Sequence, residues 1–314
     1  MQKGKQLGFG ALRLLFSRVA ISKQFGSSQV SCRRSYCQSW TAEQFKDLEA
    51  TAIAASAIHR PKRFYKSVDV VEVANQGEQD ASALAAGHAK LLYEIHLDKR
   101  KLKTQAGRVL KLDSQPLALA IAQEWDAQKD LIHKGRMLLT GLAFTTIDNP
   151  FKDTNESLTA KIMEFLPTDT LLYHTSESES GSMARLQQKK WQPVLDWANE
   201  HYGLELVASH ILTKEPTIPE ESSKTIEQWV AKHNFASLNA LNFGADAVKS
   251  LLLTLATVDH HLDVEEAVEL ARLEQIHQAK TWGSVEFMHD VEHHQLCTRL
   301  SAAVLFTHFC APNA

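Results

Sequence analysis

The stretch around which the C-terminal part of this chain is organised runs from Asp263 to Phe309 and reads DVEEAVELARLEQIHQAKTWGSVEFMHDVEHHQLCTRLSAAVLFTHF. Asp263 is a suitable N-cap, and Glu266 three residues later completes a pattern that resembles a capping box. Apolar residues then recur at helical spacing up to Trp282, and Gly283 can adopt the left-handed conformation that ends a helix. The stretch therefore predicts a helix that begins after Asp263 and ends at Trp282.

A second helix is predicted to follow directly, with Ser284 as its N-cap. Its apolar positions are Val285, Met288, Leu296, Leu300, Val304 and Phe306. Two helices joined by so short a turn are expected to be antiparallel neighbours. Their junction gathers polar side chains around a large aromatic ring, namely Glu274, Gln278, Trp282, Glu286, His289 and Asp290.

Composition restricts the possible functions. The chain has 314 residues, 44% of them hydrophobic and 23% charged, with a net charge of −3, which is ordinary for a soluble globular protein. This net charge gives no electrostatic support to nucleic-acid binding. No window approaches the roughly 18 to 20 continuous apolar residues that a membrane span needs, so stable membrane insertion is not expected. The four cysteines lack CxxC spacing and predict neither a disulfide framework nor a structural zinc site.

Sequence motifs for catalysis and cofactor binding are absent. The chain contains no GxGxxG, GxxxxGK[ST] or GxSxG pattern, so no nucleotide, cofactor or nucleophile site is expected. His289 and His293 stand four residues apart, which can suit zinc, but the HExxH order is not matched. Two alternatives stay open at this stage: a hydrolase that uses Glu274, Glu286 and nearby histidines, and a metal-binding scaffold built on His289 and His293.

Residues 1–42 have the composition of a targeting segment. They contain no Asp or Glu, carry seven Lys and Arg, and are rich in Ser, with apolar residues that can line one side of a short helix. This composition is typical of a mitochondrial transit peptide. Arg34, Ser35 and Tyr36 resemble the end of a matrix-cleaved leader, which predicts cleavage near Tyr36 or Cys37. The alternative is a disordered basic arm.

Strand patterning begins after this segment. Arg63–Val73 is rich in β-branched residues, Leu91–Leu97 reads as a second strand, and short turns lead into Lys101–Thr104 and Arg108–Leu112. Successive hairpins of this kind need a helix against one face to be stable. The pattern therefore predicts a small antiparallel meander.

Helical patterning begins after Asp113 and continues almost to the end of the chain, although Leu171–His174 is predicted as a short strand. In the first helix, Trp125 falls on the apolar face, and we interpret Trp125 and Asp126 as a structural motif. Met183–His201 is predicted to be helical, and Leu238–His260 to be one long or broken helix.

These patterns predict an α+β fold with three segments. Residues 1–42 are the transit peptide, and residues 60–115 form a small antiparallel β-rich N-terminal domain. Residues 116–314 form a larger α-helical domain that resembles an orthogonal bundle.

Six segments of the chain together resemble one family. They are RFYKSVDV at Arg63–Val70, YEIHLDKRKLKTQAG at Tyr93–Gly107, LALAIAQEWDAQKDLI at Leu117–Ile132, MLLTGLAFTTIDN at Met137–Asn149, DTLLYH at Asp169–His174 and ARLEQIHQAKTWGSVEFMHD at Ala271–Asp290. In this order they are similar to the mitochondrial ATP synthase F1 complex assembly factor 2 family, the alpha-subunit assembly chaperones. The resemblance covers about residues 60 to 310.

The resemblance implies a chaperone of the mitochondrial matrix that is not an enzyme and has no cofactor or metal. Its expected partner is the free alpha subunit of F1, whose beta-facing surface it would shield until the two subunits assemble. A loose association with the inner membrane is left open. The family's functionally important acidic position matches Glu274, and the client-binding set is predicted as Glu274, Gln278, Trp282, Glu286 and Asp290.

The chain departs from the family pattern in its hairpins. Lys99 stands at a turn position where family members usually have Gly, which predicts either a left-handed Lys99 or a different turn. Gln105 replaces a common Pro, and the loop Asn75–Lys90 is long.

Overall fold

The computed structural model describes residues 61–74, 91–210, 214–285 and 287–311. Arg60–Ala314 forms one compact unit. The predicted leader and the predicted loop Asn75–Lys90 lie outside the described residues, and so does Glu286.

A four-stranded antiparallel sheet occupies the N-terminal part of the described chain. Its strands are Val68–Ala74 (β1), Leu91–Leu97 (β2), Arg100–Lys101 (β3) and Lys111–Leu112 (β4). The central strand β2 pairs with the other three, with Val70 opposite Ile95 and Tyr93 opposite Leu112. Because side chains alternate along a strand, Tyr93, Ile95 and Leu97 all point to the same, inner face, where they are buried.

Eleven α-helices follow in the described residues. They are Gln115–Asp126 (α1), Leu138–Asp148 (α2), Asn155–Met163 (α3), Glu177–Lys190 (α4), Gln192–Tyr202 (α5), Glu220–Ala231 (α6), Phe235–Val248 (α7), Leu251–Val258 (α8), Val264–Ala271 (α9), Leu273–Trp282 (α10) and Met288–Cys310 (α11). Two short 3-10 helices, Lys134–Arg136 and Thr170–Leu172, lie between them. A small antiparallel sheet followed by many helices confirms the predicted α+β class. Among the described helices, none combines the length and the apolarity that a membrane crossing requires.

The inner face of the sheet is covered by α1, as the meander required. Trp125 near the end of α1 is 9% exposed, and its ring meets the edge of Tyr65 at 5.7 Å between centroids. The Tyr65 hydroxyl donates to the carbonyl of Trp125 at 2.6 Å. Asp126 extends to the surface, where Arg63 pairs with it at 3.3 Å. The EWD segment therefore joins α1 to the chain that leads into β1.

The hairpin turn between β2 and β3 takes the second of the two predicted forms, in which Lys99 is not left-handed. The left-handed residue is Asp98, with φ of 56°, and not Lys99. The Oδ1 atom of Asp98 accepts hydrogen bonds from the backbone N–H groups of Lys66 and Ser67, both at 2.9 Å. A short acidic side chain tolerates this conformation better than lysine does, because it can bond locally to backbone donors. In the next turn, Gly107 with φ of 82° takes the left-handed position.

The helical part has α7 and α11 at its centre. A Cβ atom placed on Gly244 of α7 would lie 3.0 Å from Thr254 Cγ2 and 3.1 Å from Ala303 Cβ of α11. Glycine at this position therefore allows α7 to approach both α8 and α11 closely. The C-terminal half of α11 also reaches the sheet side, since Ala302 and Phe306 belong to the same apolar cluster as Ile95.

Asp169 holds two helix starts together from inside the helical part. Its carboxylate is fully buried and accepts hydrogen bonds from the backbone N–H of Leu171 at 3.0 Å and of Leu252 at 2.9 Å. The hydroxyl of Ser250 donates to it at 2.7 Å. Burial raises the pKa of Asp169 from 3.8 to about 6, although these donors act in the opposite direction.

Three predicted elements differ in the structure. Leu171–His174 is not a strand: Thr170–Leu172 is a 3-10 helix, and only Tyr173 forms an isolated bridge, to Ser209. Met183–His201 is divided between α4 and α5, which meet at Trp191. Leu238–His260 is broken after Val248, where Lys249 is left-handed with φ of 56° and Ser250 caps α8.

Candidate functional site

The Asp263–Phe309 stretch begins as predicted and then departs from the prediction. Asp263 caps α9, with its Oδ1 atom accepting from the backbone N–H of Glu266 at 2.7 Å. The predicted single helix breaks at Arg272 into α9 and α10. Gly283, with φ of 86°, follows α10 as expected. Ser284 does not cap the next helix, because α11 begins only at Met288, after the left-handed Phe287.

Five apolar side chains are exposed where α10 ends and α11 begins. The exposed fractions are 70% for Trp282, 58% for Val285, 73% for Phe287, 53% for Met288 and 51% for Val291. We call these five residues the apolar tip. Two of them, Val285 and Met288, were predicted only as apolar positions of a helix, and both lie in water. An exposed cluster that contains two large aromatic rings is typical of a binding surface.

One residue of the tip has an unusual backbone conformation. Phe287 has φ of 63°, a left-handed conformation that bulky side chains rarely adopt. Strained residues of this kind persist only where the surrounding structure fixes them, and they concentrate at functional sites. The conformation of Phe287 is therefore a second, independent feature that marks the tip.

A groove lies between α10 and the first turns of α11, the two helices that the sequence predicted as antiparallel neighbours. Its volume is about 410 Å³, and its lining residues are Arg272, Gln275, Ile276, Ala279, Lys280, Ser284, His289, Asp290, His293 and His294. Arg272, which is only 7% exposed, spans the base of the groove. Its guanidinium donates to the carbonyl of His289 at 3.0 Å and lies 3.6 Å from the carboxylate of Glu292. A buried cation with partners on the second helix fixes the start of α11 relative to α10.

Glu274 lies on the other side of α10, toward α4. Its Oε1 atom accepts a hydrogen bond from Gln187 Nε2 at 2.9 Å. Gln187 is fully buried, and its own Oε1 accepts from the backbone N–H of Thr175 at 2.7 Å. Desolvation raises the pKa of Glu274 above its ordinary value, and the Gln187 bond partly offsets this effect. Glu274 is therefore the outer end of a polar chain that begins in the core.

The predicted client-binding set is thus divided by α10. Glu274, Gln278 and Trp282 follow one another at i, i+4 and i+8 along one stripe of this helix. Asp290, on α11, lines the groove on the other side of α10. Glu286 lies outside the described residues, so its position relative to the others stays a prediction.

The histidines on α11 do not assemble a metal centre in the described residues. His293 Nε2 lies 3.6 Å from the Sγ atom of Cys297, one turn further along α11. No group of three or more His, Cys, Asp or Glu side chains in the described part of the chain is arranged to hold a metal ion.

Sequence reasoning missed two residues of this site. Phe287 carried a signal, since it is one of four apolar residues within the seven positions from Val285 to Val291. Gln187 carried none, because a glutamine in a polar helix does not reveal that it reaches a carboxylate 87 positions away.

Comparison with known proteins finds similarity to one family. Residues 62–199 match the model of the ATP12 chaperone protein family. The mitochondrial protein atp12 of Schizosaccharomyces pombe is 27% identical over 223 residues, which cover 68% of this chain and 76% of that protein. The chain is therefore similar to the ATP12 chaperone proteins.

Solved structures show the same similarity. The crystal structure of Atp12 from Paracoccus denitrificans matches with a TM-score of 0.67 and 25% identity, and the match covers 80% of this chain and 98% of that one. A protein from Agrobacterium tumefaciens described as a chaperone matches with a TM-score of 0.67 and 27% identity, over 79% of this chain and 86% of that one. The matched family and the Agrobacterium tumefaciens protein are both described as chaperones.

Proposed function

We propose that this chain is the assembly chaperone that binds the free alpha subunit of mitochondrial F1 and shields its beta-facing surface until the beta subunit replaces it. The family match supports ATP synthase assembly as the task of the chain. The observation that carries the site is the apolar tip, with Trp282 70% exposed and Phe287 73% exposed. The predicted set Glu274, Gln278, Glu286 and Asp290 supplies its polar surroundings.

The chemistry of the tip suits a client that lacks its partner. An unassembled subunit exposes apolar area that would otherwise aggregate. Fully burying one large apolar side chain contributes about 1.5–3 kcal/mol, and aromatic residues are the commonest anchors of protein interfaces. A few such anchors give a contact that is specific but small, so a larger native interface can displace it without ATP.

Charge supports a basic client surface. Residues 114–314 contain 15 Lys and Arg against 27 Asp and Glu. On α10 and α11, Glu274 and Asp290 add negative charge on the two sides of the tip. Opposite charge on the client would speed encounter and fix the orientation of the complex.

The location that fits this role is the mitochondrial matrix. The relative in Schizosaccharomyces pombe is a mitochondrial protein, and residues 1–42 have transit-peptide composition. We expect cleavage near Tyr36 or Cys37. Mass spectrometry of the mature protein tests this expectation, and an intact Met1 in the matrix form would refute it.

The test of the proposed function is capture of the purified alpha subunit by the chaperone. Trp282→Ser combined with Phe287→Ser removes the two aromatic anchors of the tip, and we expect capture to weaken by about a hundredfold or more. The matched control is Leu119→Ser combined with Phe151→Ser, because Leu119 is 54% exposed and Phe151 78% exposed at other places. The control should capture the alpha subunit normally.

Two results would contradict the proposal. Equal capture by the tip variant and the control would remove the tip from the client site. If the unchanged chaperone fails to capture the alpha subunit but captures another F1 subunit, that other subunit is the client. Thermal melting of all variants separates these results from loss of folding.

A further inference from the structure

Strand β1 lies at one edge of the sheet. The order β1–β2–β3, with β4 also on β2, leaves no described strand beyond it. Its seven residues pair with β2 along their whole length, from Val68 opposite Leu97 to Ala74 opposite Leu91. An edge strand has one row of backbone groups that its own sheet does not use. β1 is therefore a place where a further strand can pair.

The register identifies the backbone groups on this free edge. The N–H of Asp98 donates to the carbonyl of Ser67 at 2.9 Å. The next pair along the ladder, formed by Val68, is therefore one without mutual hydrogen bonds. Because such pairs alternate with hydrogen-bonded pairs, Val68, Val70 and Glu72 turn their N–H and C=O groups away from β2. No group in the described part of the chain forms a hydrogen bond with them.

The strand lacks most of the features by which proteins protect a sheet edge. Proline, lysine, short length and β-bulges are common protections. The sequence of β1, VDVVEVA, contains no proline and no lysine, and its pairing with β2 runs without a bulge. Four of its seven residues are valines, whose β-branched side chains favour extended backbone. The edge therefore remains able to accept another strand.

The valines also fix β1 in place. On the inner face, Val68 and Val70 pack against the apolar cluster that contains Ile95, which we call the sheet-side cluster. Because β1 is anchored by these side chains and by its pairing with β2, a partner strand would meet an edge that is already formed. A preformed site lowers the entropy cost of binding an extended segment.

The charges of β1 select the kind of strand that fits. Its charged residues, Asp69 and Glu72, are exposed and form no ion pair within the described residues. They lie three positions apart and on opposite faces, with Asp69 opposite His96 and Glu72 opposite Tyr93. Opposite charges on neighbouring strands stabilise the pair, whereas like charges destabilise it. A second copy of β1 would bring only carboxylates to this ladder, so a strand with two cations three positions apart fits better.

We propose that the open edge of β1 binds an extended segment of a partner protein as an additional antiparallel strand. The segment carries β-branched residues and two Lys or Arg three positions apart, which lie opposite Asp69 and Glu72. Main-chain hydrogen bonds to Val68, Val70 and Glu72 supply the affinity, and the two carboxylates supply the selection. This contact goes beyond the proposed client site, because the apolar tip is formed by α10, α11 and their connection.

Binding of synthetic peptides to the full chain tests the proposal. The probe is the fluorescently labelled peptide TKVVKVT, which has the length of β1 and places a lysine opposite each carboxylate in the antiparallel register. The charge control is TEVVEVT. We expect the lysine peptide to bind at least about tenfold more tightly than the glutamate peptide, as measured by fluorescence anisotropy.

Methylated peptides test whether the contact is a strand ladder. In the proposed register, the N–H groups of the second, fourth and sixth peptide residues face β1. One TKVVKVT peptide carries N-methyl groups on its fourth and sixth residues, and the matched control carries them on its third and fifth. We expect the first to bind at least about tenfold more weakly than the second, because it has lost two donors to the carbonyls of β1.

A pair of variants at Glu72 locates the edge. Glu72→Pro removes an outward N–H and places a ring on the edge, but it leaves the hydrogen bonds to β2 intact. Glu72→Thr removes the same charge and keeps the N–H. We expect Glu72→Thr to weaken binding about threefold and Glu72→Pro at least about tenfold beyond that. Melting and capture of the alpha subunit should be unchanged in both variants.

Amide hydrogen exchange gives a measure that needs no variant. The N–H groups of Val68, Val70 and Glu72 should exchange freely in the chain alone and at least about tenfold more slowly with saturating TKVVKVT. Those of Val71 and Val73 face β2 and should be protected in both conditions.

Three results would overturn the proposal: equal binding of the two methylated peptides, equal binding of the lysine and glutamate peptides, or slower exchange only at sites outside β1. A dimer of the unchanged chain that Glu72→Pro dissociates would also overturn it, because the occupant would then be a second copy. Failure of the unchanged chain to capture the alpha subunit would refute the proposed function and leave this proposal standing.

Discussion

A tryptophan lies near each end of α11, and the two tryptophans have opposite surroundings. Near its C-terminal end, the sheet-side cluster buries Trp125 to 9% exposure, whereas Trp282 beside its N-terminal end is 70% exposed. The sheet end has an apolar interior, whereas the tip has an apolar exterior with acidic residues beside it. One end therefore stabilises the fold, and the other is the end that we propose contacts the client.

The structural reason lies in what covers each tryptophan. Trp125 packs against Tyr65 and belongs to a buried cluster to which the sheet and α2 also contribute. Trp282 is the last residue of α10. The groove beyond it separates α10 from α11, and no described element covers its ring.

The largest expected effect is on the free energy of unfolding, and it should appear at only one of the two tryptophans. Trp125→Ala should lower the free energy of unfolding by about 3–5 kcal/mol, because it leaves a cavity in the sheet-side cluster. Trp282→Ala should change it by no more than about 0.5 kcal/mol, because the ring is already in water. Urea denaturation measures both values. Similar losses for the two variants would mean that the tip is part of the core.

The next effect concerns Asp169, the buried carboxylate of the helical part. Asp169→Ala leaves the N–H groups of Leu171 and Leu252 and the hydroxyl of Ser250 without their acceptor. We expect a loss of about 3 kcal/mol of unfolding free energy, since buried donors then lack partners. Asp126→Ala, at an exposed carboxylate, is the control and should cost about 0–1 kcal/mol. A small loss for Asp169→Ala would contradict a joint helix cap at this position.

Asp169 also predicts a pH dependence. Because folding raises the pKa of Asp169 from 3.8 to about 6, the folded chain binds this proton more tightly than the unfolded chain does. Its contribution to stability is therefore complete below about pH 4 and is lost as the pH rises through about 6, by up to about 3 kcal/mol. Measured against Asp169→Asn, which does not titrate, the wild-type unfolding free energy should fall over this interval. A difference that is constant with pH would refute the raised pKa.

A smaller effect concerns client binding. Glu274→Gln keeps the shape and helix propensity of the residue but removes its charge. We expect melting to change little and alpha-subunit capture to weaken by about 2 kcal/mol or more, as for a desolvated interfacial charge. Unchanged melting with unchanged capture would reject Glu274 as a client-binding residue, and a collapsed melting curve would make it structural.

The smallest effect concerns the polar chain behind Glu274. Gln187→Met preserves side-chain length but removes both the donor to Glu274 and the acceptor for Thr175 N–H. Stability should fall by about 1–2 kcal/mol, and capture should fall less than in Glu274→Gln. Gln188→Met, at the exposed neighbour on α4, is the control and should change neither. Full capture by Gln187→Met would show that Glu274 does not depend on Gln187 for its position.

The sequence by itself determined the order of elements and several of their ends. The apolar run Leu91–Leu97 predicted a strand, and the helical spacing around Trp125 predicted the apolar face of α1 that packs against it. Asp263 predicted the start of α9 because an N-cap depends on residues only three positions apart.

Only the tertiary structure decided what each apolar or polar side chain meets. Val285 and Met288 stand at positions that sequence reasoning assigned to the apolar face of a helix, yet both are more than half exposed, because periodicity identifies a face and not its partner. Glu274 was placed on α10 by sequence, but its bond to Gln187 joins residues 87 positions apart. Contacts of that range depend on how the helices pack together, and local sequence does not encode them.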